Sequence, residues 1–229
     1  MPHTLTRSKQ DYLKALYALG ANGATITTSS LAARLGVSAP SVTNMLGRLA
    51  KEKLVAHTPR AGARLTARGR RVAIEMVRRH RILETFLVRV LGLDWSEVHE
   101  DAEVLEHHIS ERVLDAIDRL VGHPAEDPHG HMIPDRNGRM PQRALQPLAA
   151  MPRGAHAIVR EIRDADLAHM SRWKDAGLVP GAAVRMANVR ALDDVFEIDV
   201  AGERLVIGSE GLEGVMVELV RRRGEGSST

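Results

Sequence analysis

The stretch Ser29–Val55, SSLAARLGVSAPSVTNMLGRLAKEKLV, decides how this chain is read. Thr27, Thr28 and Ser29 offer side-chain oxygens to cap a short helix, SLAARLG, that stops at Gly36. Ser38 then caps a second helix with Pro40 in its first turn, where a missing N–H costs nothing, and Val42, Met45, Leu46 and Leu49 fall along one side. Two short helices joined by a tight, glycine-containing turn make a helix-turn-helix, whose second helix reads the major groove of DNA. Upstream, residues 5–20 (LTRSKQDYLKALYALG) place Tyr12, Leu13, Leu16, Tyr17 and Leu19 at helical spacing and end in Gly20, which predicts a supporting helix. Downstream, Leu54–His57 and Ala63–Thr66 predict two short strands around Pro59 and Gly62, a wing.

Charge agrees with this reading. Residues 1–72 carry 12 Lys and Arg against 2 Asp and Glu, residues 73–150 carry 9 against 14, and residues 151–229 carry 11 against 13. A basic front on an acidic remainder suits a phosphate backbone, because each neutralised phosphate releases counterions. Ser38, Pro40, Ser41, Thr43, Asn44, Arg48 and Lys51 on the second helix, with Arg60 in the wing, are the candidate DNA contacts. The plainer alternative for Ser41, Thr43 and Asn44 is an ordinary polar helix surface.

A second pattern lies further on. His99, Glu103, Glu106 and His107 form H-x-x-x-E-x-x-E-H within an expected long helix from Ser96 to Val121. On one helix these side chains fall within an arc of roughly 100°. That arc flanks an apolar stripe of Val98, Ala102, Leu105, Ile109, Val113, Ala116 and Leu120. His80 and Glu84 border a similar stripe in an expected helix from Arg70 to Leu91, and Asp11 lies in the first helix. Carboxylates beside a buried face need protons, cations or a metal as partners. With no cysteine in the chain, the donors are all oxygen and nitrogen, which suits Mn²⁺ or Fe²⁺ better than structural zinc. The rival class is a metal-dependent hydrolase, but HExxH, a nucleophile motif and a glycine-rich phosphate loop are all absent from the sequence. A metal-independent winged-helix adaptor is the third class, and it would have no use for the ligand array.

Residues 122–153 are rich in Pro, Gly and His without a period and read as an irregular cover grading into a linker; His123, His129 and His131 are assigned no role. From Gly154, the runs AHAIVREI, AAVRMANV, VFEIDVAG and ERLVIG, with a helix from Asp164 to Ala176, suggest a small β-barrel. The closing GEGSST reads as a disordered tail. No apolar run is long enough to span a bilayer and no leader peptide opens the chain, so the expected compartment is the cytoplasm.

The segments DYLKALYAL, SAPSVTNMLGRL, RRHRILETFLVRVLGL and VHEDAEVLEHHIS resemble, in order and spacing, the diphtheria toxin repressor family of metal-dependent transcriptional regulators, in particular its manganese-responsive branch. HMIP resembles the turn after that family's dimerisation helices, and AGLVPGAAV its SH3-like domain, shared with small iron-transport accessory proteins. The resemblance implies a mainly α fold with β: a winged helix-turn-helix over 1–72, a helical metal-binding and dimerisation domain over 73–141, a linker over 142–153, an SH3-like domain over 154–223 and a tail over 224–229. It also implies a non-enzymatic repressor with Mn²⁺ as corepressor, controlling manganese uptake; the alternative is an Fe²⁺-responsive repressor. The implied partners are a palindromic double-stranded operator and a second copy of the chain, with no membrane and no small-molecule substrate beyond the metal. Carried over position by position, the primary ligands fall on Asp11, Glu103, Glu106 and His107, and the ancillary ones on His80, Glu84 and His99, with His80 able to serve either site. Asp11 and Glu103 stand where iron-responsive members carry Met and Cys. One position departs from the manganese branch: Lys14 stands where its members carry Glu, and an ammonium cannot ligate an ion and repels it.

Overall fold

A computed structural model describes residues 5–20, 24–58, 61–163 and 167–220. The chain divides into two compact units, one of residues 1–83, 102–120 and 133–140, the other of residues 84–101, 121–132 and 141–229. Arg60 and the tail 224–229 lie outside the described residues.

The first unit opens with α1 (Arg7–Leu19), α2 (Thr28–Leu35) and α3 (Ala39–Lys51), followed by the strands β1 (Val55–Thr58) and β2 (Gly62–Leu65). The helix starts are set by hydroxyls: Thr27 Oγ1 accepts the Ser30 N–H at 3.1 Å and Ser38 Oγ that of Ser41 at 3.4 Å. Gly36 ends α2 at φ 64°, a left-handed conformation that makes the tight turn into α3. Leu13, Leu16, Leu31, Val42, Leu46 and Leu49 close over a common core that also takes Leu54 and Ala63. Full burial of each such leucine contributes roughly 1.5–3 kcal/mol. The wing pairs Val55 with Leu65 and Thr58 with Gly62, and Ile26 extends it by bonding Ala63 in both directions. α4 (Ala67–Arg89) starts against the wing so closely that a Cβ on Gly69 would stand 1.9 Å from the Leu54 carbonyl oxygen.

The expected helix from Ser96 to Val121 is two helices, α5 (Val98–Leu105) and α6 (Glu111–Leu120). The cause is visible in the intervening turn. Leu105 O receives both the His108 and Ile109 N–H groups, while the Arg79 guanidinium takes Glu106 O at 3.2 Å and Ile109 O at 2.8 Å and pairs with Glu111. The carbonyls that would have continued α5 are thus satisfied from the side. Ser110 begins the next helix: its carbonyl accepts Leu114 N–H and its hydroxyl Val113 N–H. The restart changes the helical phase. Leu114, Ile117 and Asp118 turn inward, Asp118 against Arg78, whereas the expected stripe residues Val113, Ala116 and Leu120 face outward, Val113 at 47% and Leu120 at 63% exposure. His80 and Glu84, expected at the border of the α4 stripe, are buried.

The second unit is built on an antiparallel sheet of six strands in the order β3 (Gln146–Pro147), β8 (Val215–Leu219), β4 (His156–Ile162), β5 (Ala183–Arg190), β6 (Val195–Val200) and β7 (Glu203–Gly208). β3 and β8 are additions to the expected strands. Helix α7 (Leu167–Asp175) lays Trp173 into the core beside Val159, Met186, Ile198 and Val215, and the indole N–H finds Gly211 O at 2.7 Å. Part of the expected cover segment is a fastened strap. Glu126 bridges Met132, the Ile162 N–H reaches His129 O at 2.9 Å, and Gly130, at φ 84°, lies where a Cβ would meet Arg160 O at 1.8 Å. Among the described residues no helix is long and apolar enough to cross a membrane.

Candidate metal centre

Helix α1 has two working faces. Tyr12, Leu13, Ala15 and Leu16 enter the core beneath α2 and α3, while Gln10, Asp11 and Lys14 meet the end of α5 and the middle of α4. Lys9 pairs with Glu52 just past α3, so α1 is tied to the helix-turn-helix by charge as well as by packing.

Asp11, Glu106 and His107 bring one ligand atom each within 4.8 Å of one another. His107 Nδ1 lies 2.6 Å from Gln10 Oε1, an acceptor, so the ring proton sits on Nδ1 and the lone pair on Nε2. That lone pair points at Asp11 Oδ1, 3.0 Å away, and at Glu106 Oε1, 3.6 Å away. Neither Asp11 Oδ1 nor His107 Nε2 has a hydrogen-bond partner, although both are buried. Two lone pairs facing one another without a proton are the arrangement a cation satisfies. Electrostatics agree: burial, joined by the charges of Glu103 and Glu106, pushes the Asp11 carboxyl above its ordinary value despite His107, and burial holds His107 below its own despite Glu106 and Asp11. The imidazole is therefore neutral and able to ligate near neutral pH.

A second triad, His80, Glu103 and Glu106, shares Glu106 with the first. Here Lys14 Nζ lies 2.6 Å from Glu103 Oε1, 3.0 and 3.1 Å from the two Glu106 oxygens and 3.2 Å from His80 Nδ1. His80 Nδ1 is 2.7 Å from Glu106 Oε2.

In the second unit, Glu84 is buried between two imidazoles, with Oε1 3.2 Å from His99 Nδ1 and Oε2 3.5 Å from His129 Nδ1. The His99 side chain is 60% exposed. His129 is fixed through Nε2 by Trp95 O at 2.8 Å; burial pulls its pKa down, but the Glu84 hydrogen bond and charge, with Asp127, carry it above the ordinary histidine value. Asp127, His129 and His131 also cluster, but Asp127 is occupied by the His129 and His131 N–H groups and the His131 ring. Sequence reasoning left Gln10, Arg79 and His129 without roles. Their signal is tertiary, since each acts on a group at least 27 residues away or across a buried contact.

On α3, Ser38, Pro40, Ser41, Thr43, Asn44, Arg48 and Lys51 are all exposed. Three hydroxyls are locally engaged: Ser38 with Ser41 at 2.9 Å, and Thr43 with Ala39 O at 3.1 Å.

Family models match in three consecutive blocks: the iron-dependent repressor N-terminal DNA-binding domain over residues 4–63, the iron-dependent repressor metal-binding and dimerisation domain over 66–135, and the FeoA domain over 146–219. The iron-dependent repressor IdeR of Mycobacterium leprae is 30% identical over 228 residues, covering 94% of this chain and 99% of the relative. The chain belongs to the diphtheria toxin repressor family. It is a metal-dependent transcriptional repressor, not an enzyme. Within this family it is also 34% identical over 122 residues to the HTH-type transcriptional regulator MntR of Bacillus subtilis, covering 53% of this chain and 85% of that one. A solved manganese-dependent transcriptional repressor in complex with manganese superposes with TM-score 0.85 at 36% identity, covering 93% of this chain and all of that one. The family binds DNA and dimerises through its metal-binding domain.

Proposed function

We propose that this repressor uses Mn²⁺ as its corepressor, held by Asp11, Glu106 and His107 with Glu103 beside them, to silence manganese-uptake genes in the cytoplasm. The observation that carries this is the facing pair of lone pairs on Asp11 and His107 in a donor set without sulfur. Hard oxygen and imidazole donors favour Mn²⁺ over ions that gain from thiolate or thioether. Fe²⁺ is the second reading, supported by the iron-dependent mycobacterial relative.

Ligation couples to DNA through α1. A bound ion supplies the cation that Asp11 Oδ1 and His107 Nε2 lack, holding α1 on the end of α5 beside the Lys14 ion pairs with Glu103 and Glu106. Because the opposite face of α1 is in the α3 core, its placement sets that of the reading helix. In a dimer the two α3 helices would then meet half-sites of a palindromic operator about 34 Å apart. The outward Val113, Ala116 and Leu120 stripe supports α6 as part of the dimer face. Switching from 1:99 to 99:1 competent requires about 10⁴-fold preferential binding, about 5.5 kcal/mol, within reach of several charged ligands. Glu84 and His99 form the ancillary pair. Ser38, Pro40, Ser41, Thr43, Asn44, Arg48 and Lys51 are the DNA contacts in this reading, joined by Arg60, which lies outside the described residues.

The deciding experiment is an anaerobic operator-binding titration with Mn²⁺ and Fe²⁺ buffered at cellular free concentrations. Mn²⁺ should activate wild type, and the double variant Asp11→Met, Glu103→Cys should shift the response towards Fe²⁺. Activation by Fe²⁺ alone would overturn the manganese reading. Operator binding unchanged by Glu106→Ala or His107→Ala in a folded dimer would overturn the site.

A further inference from the structure

The two triads share Glu106 but are filled differently. In the Asp11–Glu106–His107 position, Asp11 Oδ1 and His107 Nε2 face one another without a hydrogen-bond partner. In the His80–Glu103–Glu106 position, an ammonium already stands among the ligands, within 2.6–3.2 Å of all three groups. We infer, resting on the metal reading above, that Lys14 is a tethered second cation: it occupies the position a second ion would take, so that this centre binds a single divalent ion at Asp11, Glu106 and His107.

Three features support this. First, the contacts are those of a counterion with full use of its donors, since an ammonium has three N–H groups and Glu103 and Glu106 offer three oxygens at 2.6, 3.0 and 3.1 Å. Second, His80 is withdrawn as a ligand at Nδ1. Its contact with Glu106 Oε2, 2.7 Å, is shorter than that with Lys14, 3.2 Å, which places the ring proton on Nδ1, donated to the carboxylate. Third, the formal charges close. Asp11, Glu103 and Glu106 carry three negative charges, Lys14 supplies one positive charge and one divalent ion the remaining two. A second divalent ion beside the ammonium would leave a buried excess of positive charge, which a low-dielectric site resists.

Lys14 therefore has two effects of opposite sense. It offsets one of the two charges on Glu103 and Glu106 before an ion arrives, which weakens carboxylate repulsion in the metal-free protein. It also shares Glu106 with the incoming ion and so raises the concentration at which the ion binds. Removing the ammonium should destabilise the metal-free state and make room for a second ion.

The test is Mn²⁺ electron paramagnetic resonance on the full-length protein, because an ion count alone would not separate this position from the Glu84–His99 pair. Exchange coupling would report two ions close enough to share a bridging ligand. Wild type should give only isolated-ion signals, with one component lost in His107→Ala, and Lys14→Glu an exchange-coupled pair. Lys14→Gln keeps the packing and removes the charge: its metal-free melting temperature should fall by about 5 °C or more, and its gain on adding Mn²⁺ should exceed that of wild type. Lys14→Arg should retain the wild-type values. A coupled pair in wild type would overturn the inference, as would an uncoupled Lys14→Glu together with an unshifted Lys14→Gln. Absence of any ion dependent on His107 would instead overturn the metal site itself, and this inference with it.

Discussion

Asp11 Oδ1 and His107 Nε2 stand 3.0 Å apart, two buried acceptors held face to face because His107 has its ring proton committed to Gln10. Helix α1 and the end of α5 thus hold a repulsion that only a cation or a proton relieves.

The pH dependence follows from the directions of the two shifts. His107 lies below its ordinary 6.5, so its proton competes with metal only under that pH; Asp11 lies above its ordinary 3.8, so its proton begins to compete at milder acidity than for a free carboxylate. Metal affinity should be flat from about pH 8 to 6.5 and then fall, by up to about tenfold per pH unit for each proton taken up. In the metal-free protein the signs differ. The lowered His107 contributes stability above pH 6.5 that is lost as pH falls towards its folded value, and the raised Asp11 contributes stability in acid that is lost as pH rises through its folded value. Calorimetric titration with Mn²⁺ checks the first statement; a steep loss of affinity between pH 8 and 7 would contradict it.

On the DNA side, Arg48→Ala and Lys51→Ala should each weaken binding to every sequence and reduce the salt slope by about one unit. Asn44→Ala should change which bases are preferred, costing about 1–3 kcal/mol at the matched position. Fluorescence anisotropy across a salt series, on an operator and on random duplex, distinguishes the two behaviours. Equal salt slopes for wild type and both basic variants would remove α3 from the phosphate contacts.

Arg79 is only 1% exposed and holds Glu106 O, Ile109 O and Glu111 together. Arg79→Met preserves length but leaves those acceptors short of donors, and should cost about 2–4 kcal/mol in urea denaturation. Metal affinity should fall too, since Glu106 and His107 lie in the turn it braces. Full stability with unchanged affinity would show that the turn holds itself.

Two glycines should respond in opposite directions. Gly69→Ala drives a methyl against Leu54 O, 1.9 Å away, and should destabilise by about 2 kcal/mol or more. Gly47, inside α3, has nothing within 4 Å of an added Cβ, so Gly47→Ala should stabilise by about 0.5–1 kcal/mol. Thermal melts of the pair decide it.

The helix-turn-helix was legible because its signals are local: Thr27 and Ser38 cap the helices they precede and Gly36 makes the turn, whatever lies elsewhere. The ligand types were legible for a similar reason, as carboxylates and imidazoles beside apolar stripes call for partners. What escaped was long-range. The break after α5 depends on Arg79, which reaches Glu106 from another helix and has no mark in the 96–121 periodicity. Lys14 reads in sequence as a cation hostile to an ion. Its meaning changes once Glu103, 89 positions away, is found 2.6 Å from its nitrogen. β8 was overlooked although VMVEL is an apolar run, and β3 is only two residues long with a proline, beyond any periodic signal.

The interruption at residues 106–110 gives the region a tolerance that a straight helix would lack. In a continuous helix one inserted residue would swing everything beyond it by about 100° and carry the outward Val113 and Leu120 out of register with Glu103. With a turn in between, a change of length after Glu106 and His107, at residues 108–110, falls where no helix runs. The ligand set that ends at His107 and the outward side of α6 can therefore diverge separately over evolutionary time, so that a change in one need not carry a change in the other.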